Sequence, residues 1–164
     1  HTNAVLALLR DGFVEQSPGG SVRLSEDGSP VLDYDLSDYV WEGVRRAYLS
    51  MAELQFAAGA QKVRSAHIDA RYATSWNDAK KAIAELPLKK FRATLFTAHL
   101  MGGCAMSQNP KRGVVDSRGR HHQLANLSVM DGSVFPTSIG ANPQLSVYGL
   151  TAQNASALVK EIGG

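Results

Sequence analysis

The sequence predicts a mixed α/β chain: an α+β portion with antiparallel strands, followed by a strand and a long closing helix. Three observations carry this. Apolar and polar residues alternate on either side of a turn at Glu26-Asp27-Gly28-Ser29, as they do in a β-hairpin. From Asp38 to Ala58 apolar residues recur at intervals of three and four, the period of a helix with one buried face. Near the end, Asn142-Pro143 precedes a second run of that period, from Gln144 to Ile162.

Bulk properties bound what such a chain does. Its 164 residues suffice for one ordinary domain or two small lobes. The apolar fraction of 44% and charged fraction of 20% are those of a soluble globular protein. A net charge of +2, with both signs interspersed, gives no case for a nucleic-acid or membrane surface. The single cysteine, Cys104, excludes an internal disulfide. No run of about 18 apolar residues exists to form a spanning helix. The chain begins at His1 with no signal-peptide pattern, and reads as a piece of a longer or processed protein.

In chain order, Thr2 is a candidate cap for a short helix through Ala4–Asp11, with Gly12 as its stop. Ser17-Pro18-Gly19-Gly20 is a loop. Ser21–Ser25 alternates Val22 and Leu24 with polar neighbours, as a half-buried strand does, and Pro30–Tyr34 returns beside it. Ser37 caps the long helix, and Asp38 and Glu42 suit its positive end. Its expected buried stripe is Val40, Val44, Ala47, Met51, Leu54 and Ala58, with Gly59 ending it. Tyr48 and Met51 read as core rather than cofactor contacts. Gln61–Arg64 is a candidate short strand, and His67 a surface or hydrogen-bonded histidine. Ser75 caps an amphipathic helix, WNDAKKAIAEL, anchored by Trp76 and stopped by Pro87. Lys89-Lys90 reads as a solvated pair, and Ala93–Ala98 as a strand. No internal repeat is present.

The residues able to carry chemistry cluster in the last third. His99 ends the Ala93–Ala98 strand, and Gly102-Gly103 follow, where glycine permits close backbone approach or positive φ. On local grounds a buried histidine beside a turn is the stronger reading. Gly113–Asp116 reads as a strand end and turn. Arg118, Arg120, His121 and His122 read as a solvated loop, like Lys111 and Arg112; adjacent histidines diverge in extended chain and make a poor metal site. Leu124–Met130 is a predicted strand running into Asp131-Gly132-Ser133, a turn able to present amides or a carboxylate to a ligand. Asn142 then caps a helix with Pro143 at its first position, expected to bury Val147, Tyr148, Ala152, Ala155, Leu158 and Val159 before Gly163-Gly164. Free amides at its start stabilise anionic character on a ligand. Cys104, five residues after His99, suggests a thiolate–imidazole pair, but no third orienting group is evident. Ser133 does not lie in a Gly-x-Ser-x-Gly elbow, and no Gly-x4-Gly-Lys-Ser/Thr loop occurs.

The ordered set His99-x-x-Gly102-Gly103, Gly113-Val114-Val115-Asp116, Asn126-Leu127-x-Val129-x-Asp131-Gly132-Ser133-x-x-Pro136 and Asn142-Pro143 resembles the C-terminal region of glucose–methanol–choline (GMC) flavoprotein oxidoreductases. The pattern is nearest the branch of cholesterol oxidases and bacterial alcohol dehydrogenases. These motifs cover about the last 66 residues. The resemblance implies that 1–97 is part of a substrate-binding domain and 98–164 the C-terminal part of an FAD-binding domain carrying the active site. It further implies that an alcohol CH–OH is oxidised, with hydride passing to FAD and His99 accepting the hydroxyl proton. Asn142 stands where relatives carry His or Asn; it cannot titrate and would orient the substrate oxygen. Asp131 and Gly132 would lie along the flavin, and Pro143, Gln144 and Leu145 would start the helix facing its pyrimidine edge. The implied partners are a small-molecule alcohol and the FAD-binding remainder of the enzyme, with no metal and no nucleic acid. One departure is that no Gly-x-Gly-x-x-Gly spacing, which holds the dinucleotide, occurs in the chain. That departure leaves two rivals: a non-catalytic binding or assembly module that kept the fold, and a cysteine-dependent enzyme at Cys104.

Overall fold

The computed structural model describes residues 2–12 and 14–163. Contacts divide the chain into two compact units, His1–Phe96 and Thr97–Gly164. Helices and a small antiparallel sheet occur together, as the predicted mixed α/β class requires.

In the first unit the hairpin forms where alternation and turn chemistry coincide. Strand β1 (Gly20–Leu24) pairs antiparallel with β2 (Pro30–Tyr34), with Val22 opposite Leu32 and Gly20 opposite Tyr34. Gly28 turns the chain at φ +80°, and Asp27 Oδ1 accepts from the Ser25 hydroxyl at 2.5 Å and the Ser29 amide at 2.9 Å. Those bonds, the Ser25 hydroxyl first, hold the Asp27 carboxyl below its ordinary range. The strands are not half-buried as expected: Val22, Leu24 and Leu32 are 68%, 73% and 75% exposed. Among the described residues a two-stranded ribbon has no second layer to cover its apolar face.

The helix expected over Ala4–Asp11 is not formed; residues 2–11 have no regular structure, and Leu6 and Leu8 are exposed. So short a segment meets the full cost of helix nucleation without a packed face to offset it. Helix α1 (Asp38–Ala57) does form. Ser37 stands at its N-cap in extended conformation, but its hydroxyl makes no cap bond, unlike the expectation. Gly59, at φ +89°, closes the helix by donating to the Phe56 carbonyl, while Ala60 donates to that of Gln55.

The buried stripe of α1 is Val40, Val44, Tyr48 and Ala52, a strict step of four. Of the rest of the expected line, Met51 packs against the core cluster and Ala47 is half-buried, whereas Leu54 and Ala58 are exposed. Helix α2 (Trp76–Ala84) explains the stripe: its Ala79 and Ile83, with Ala73 and Leu86, pack on Val44, Tyr48 and Ala52. Each fully buried valine or isoleucine in this cluster contributes about 1.5–3 kcal/mol. Ser75 Oγ accepts the Asp78 amide at 3.2 Å, the predicted cap, and the half-buried Trp76 packs against the same cluster.

Segment 61–64 is not a strand but a single bridge, Val63 to Ala73, and 93–98 likewise keeps one bridge, Ala93 to His67. His67 is buried and hydrogen-bonded. Its Nδ1 accepts from the Asp69 amide at 3.1 Å, which leaves the proton on Nε2 to be donated to the Pro87 carbonyl at 3.1 Å. Lys90, read as solvated, is ion-paired with Asp35.

The second unit is built on isolated bridges around Val115, which is fully buried: Met106 to Val115, Val115 to His121, and Arg120 to Ser128. The predicted strand over 124–130 therefore reduces to one bridge at Ser128. Extended backbone becomes a strand only with a continuous ladder beside it, and the turn closed by Leu127 N–H to the Leu124 carbonyl interrupts this one. Gly113–Asp116 ends in the expected turn, where Asp116 Oδ1 accepts the amides of Arg118 at 2.8 Å and Arg120 at 3.0 Å.

Helix α3 (Gln144–Glu161) closes the unit, and Gly164 lies outside the described residues. Of its expected core positions, Val147, Ala155 and Leu158 are half-buried, whereas Tyr148, Ala152 and Val159 are exposed. Asn154 is its buried residue. The basic run is a loop in which Arg118 is exposed as expected, but it is tied down: Arg118 and Arg120 both pair with Glu161, and the half-buried His122 meets the Ser107 carbonyl at 3.0 Å. No helix among the described residues is long and apolar enough to cross a membrane.

Candidate active site

Three stretches converge inside the second unit. The segment from Leu100 to Met106 lies along the segment from Asp131 to Pro136. Cys104 donates its amide to the Ser133 carbonyl at 3.0 Å, and Met106 donates to that of Val134 at 2.8 Å. Glycines permit the approach. A Cβ on Gly132 would stand 3.2 Å from the Leu100 carbonyl oxygen; one on Gly102, whose φ is +87°, would stand 3.4 Å from that of Pro136. Leu100 and the glycine pair are thus brought beside Gly132, Ser133 and Pro136.

Helix α3 supplies the third stretch. A Cβ on Gly132 would meet Val147 Cγ2 at 3.7 Å, and Thr151 Oγ1 donates to the Met130 carbonyl at 2.9 Å. The helix opening differs from the expectation by one residue. Pro143, at φ −86° and ψ −6°, is the N-cap, and its carbonyl accepts the Val147 amide at 2.9 Å. Asn142 stands just before it and is exposed. The amides of Gln144, Leu145 and Ser146 precede Val147, the first intrahelical donor, and have no intrahelical carbonyl to meet.

The individual side chains sort as follows. His99 is exposed, not buried beside a turn. Asp131 caps a 3-10 turn, Gly132–Val134, by accepting the Ser133 amide at 2.7 Å. Ser133, through its hydroxyl and then its amide, holds the Asp131 carboxyl below its ordinary range. Asp131 is therefore an ionised turn-former, and no described residue accepts from the Gly132 N–H. Gln144 Nε2 donates to the Tyr148 hydroxyl at 2.8 Å, and Leu145 is 83% exposed. Cys104 is half-buried and takes part through its backbone. No group of three His, Cys, Asp or Glu among the described residues is arranged to hold a metal ion. Thr151 is the member that sequence reasoning missed: it looks like an ordinary helix residue, and its partner lies 21 positions away. Val147, expected only as a core position of the helix, also belongs to the site.

The donors that the geometry places here are the Gly132 amide and the first-turn amides of α3. Free amides of this kind suit carbonyl oxygens or anionic character on a ligand.

A family model for the C-terminal domain of GMC oxidoreductases matches residues 16–151, which include all three converging stretches as far as Thr151. The chain is 29% identical over 156 residues to the long-chain-alcohol oxidase FAO4A of Arabidopsis thaliana, covering 91% of this chain and 20% of that protein. It is 31% identical over 147 residues to the GMC-type oxidoreductase y4nJ of Sinorhizobium fredii, covering 89% of this chain and 29% of the relative. Over 61 residues, 37% of this chain and 11% of the relative, it is 46% identical to a cholesterol oxidase of Acinetobacter baumannii. The chain thus spans between a fifth and under a third of the length of the first two. With most of its length matched and its motif stretches gathered in one unit, the chain belongs to the GMC oxidoreductase family, as part of its C-terminal domain.

Proposed function

We propose that this chain is the proton-handling portion of an FAD-dependent oxidoreductase that oxidises the CH–OH group of an alcohol. The observation that carries the reading is the convergence of the Leu100–Met106 segment, which follows His99 directly, with Gly132–Pro136 and with Val147 and Thr151 of α3 in one unit. The names of relatives, long-chain-alcohol oxidase and cholesterol oxidase, support an alcohol as reductant.

The first-turn amides at Gln144 and Leu145, after Pro143, and the Gly132 amide would hold the carbonyl-bearing edge of the flavin. FAD, when bound, supplies the acceptor for the hydride that leaves the carbinol carbon. His99 accepts the hydroxyl proton on an imidazole nitrogen, and its exposure leaves that nitrogen open to substrate. Asn142 has no titratable proton, so it orients the substrate oxygen by donating from its amide. Asp131 stays ionised within its turn and takes no part in the transfer. The partner for turnover is the FAD-binding remainder of the longer protein, to which residues 98–164 contribute one wall. Residues 1–97 contribute part of the substrate-binding side.

The test is His99→Ala in the complete enzyme with FAD bound. Loss of general-base help lowers alcohol oxidation about 10²- to 10⁴-fold. Near-unchanged turnover with the cofactor in place overturns the assignment.

A further inference from the structure

Helix α3 grips the turn ahead of Gly132 from two successive positions on one face. Val147 lies against Gly132, and one turn further on Thr151 donates its hydroxyl to the Met130 carbonyl, the last acceptor before Asp131-Gly132. A threonine inside a helix ordinarily returns its hydroxyl to a carbonyl of the preceding turn. Here the bond, half-buried at 2.9 Å, is made to a segment 21 positions away. On the far side of Gly132 the segment is held by Cys104 and Met106, which donate to Ser133 and Val134, and on the near side the Val129 amide donates to the Gly119 carbonyl at 2.7 Å. Thr151 is the residue that ties the near side to α3 itself, and so bears on the offset between the Gly132 amide and the first turn of that helix.

We propose that Thr151 is a positioning residue that sets this offset and thereby tunes the reduction potential of the cofactor. The proposal rests on the reading that both sets of amides meet one edge of the flavin. Donors aimed at that edge stabilise the charge gained on reduction only while their spacing matches it. Losing one such hydrogen bond is enough to shift an equilibrium several-fold.

The experiment compares Thr151→Val, which keeps the shape and deletes the donor, with Thr151→Ser, which keeps the donor, in the complete FAD-loaded enzyme. Valine is expected to weaken the preference for reduced over oxidised cofactor by up to about tenfold, a shift of about 30 mV to more negative potential for a two-electron couple. Serine is expected to restore the wild-type potential. An unchanged potential in the valine variant, or a serine variant as shifted as valine, overturns the proposal even if the melting temperature falls. Should valine fail to fold, Thr151→Ala carries the same comparison. The result separates from the His99 test. An unchanged potential beside an inactive His99→Ala enzyme removes the role of Thr151 alone. A shifted potential beside an active His99→Ala enzyme removes the proton role and leaves the flavin wall.

Discussion

Gly119 shows how much of the second unit rests on single backbone positions. Its φ is +75°, a region where a side chain costs about 1–2 kcal/mol. A Cβ there would stand 2.4 Å from the Val129 carbonyl oxygen, which cannot withdraw without stretching the 2.7 Å bond from the Val129 amide to the Gly119 carbonyl. Gly119→Ala is accordingly expected to destabilise the protein by about 2–4 kcal/mol, strain and overlap together. A denaturation midpoint within error of wild type would show that the loop relaxes at no cost. At this scale the sequence is legible where a residue's chemistry has one use. His67 reads as hydrogen-bonded from its polar surroundings, and it makes two hydrogen bonds. Thr151 does not read at all, because its partner is 21 positions away and nothing local records it.

Among elements, α2 depends most visibly on its start. Asp78 receives Arg71 through both oxygens, at 3.0 and 2.6 Å, and the Thr74 amide at 3.2 Å, while its own amide meets Ser75. Arg71 first, then Thr74, hold its carboxyl below the usual value. A carboxyl depressed in the fold contributes stability above its unfolded pKa of 3.8, and the contribution fades as pH falls through the folded value. The first turn of α2 is thus expected to loosen below pH 3.8, and Asp78→Asn to remove that pH dependence. A carboxyl titration followed residue by residue that finds Asp78 protonating at or above 3.8 would contradict this. Periodicity made α1, α2 and the hairpin legible, since each is set by residues within about one turn of one another. It did not separate strands from single bridges at 93–98 and 124–130, because extended backbone takes its identity from the ladder beside it. Nor did it choose among apolar faces of α1, where the stripe in use is the one that meets Ala79 and Ile83.

For the whole molecule, order carries more than composition. His99, Asp131-Gly132 and Asn142-Pro143 are each ordinary, yet their succession matches a family whose model covers 16–151, and their stretches converge in one unit. The stretches leave the Gly132 amide and the first-turn amides of α3 as free donors, and no Gly-x-Gly-x-x-Gly spacing, the phosphate cradle of a dinucleotide, occurs in the 164 residues. The same stretches expose large apolar side chains: Leu145 and Tyr148 on α3 are 83% and 60% exposed, and Leu100 is 70% exposed. A dinucleotide draws much of its affinity from the pyrophosphate and adenosine grips, and a few amides at one ring edge do not replace them. The 164-residue chain by itself is therefore expected not to retain FAD. Refolded or expressed with excess cofactor and passed through a desalting column, it should emerge colourless and show no flavin absorbance. A yellow preparation with stoichiometric FAD would mean that the dinucleotide is gripped by residues of this chain outside the three converging stretches, and the assignment of this unit as one wall of the site would have to be redrawn.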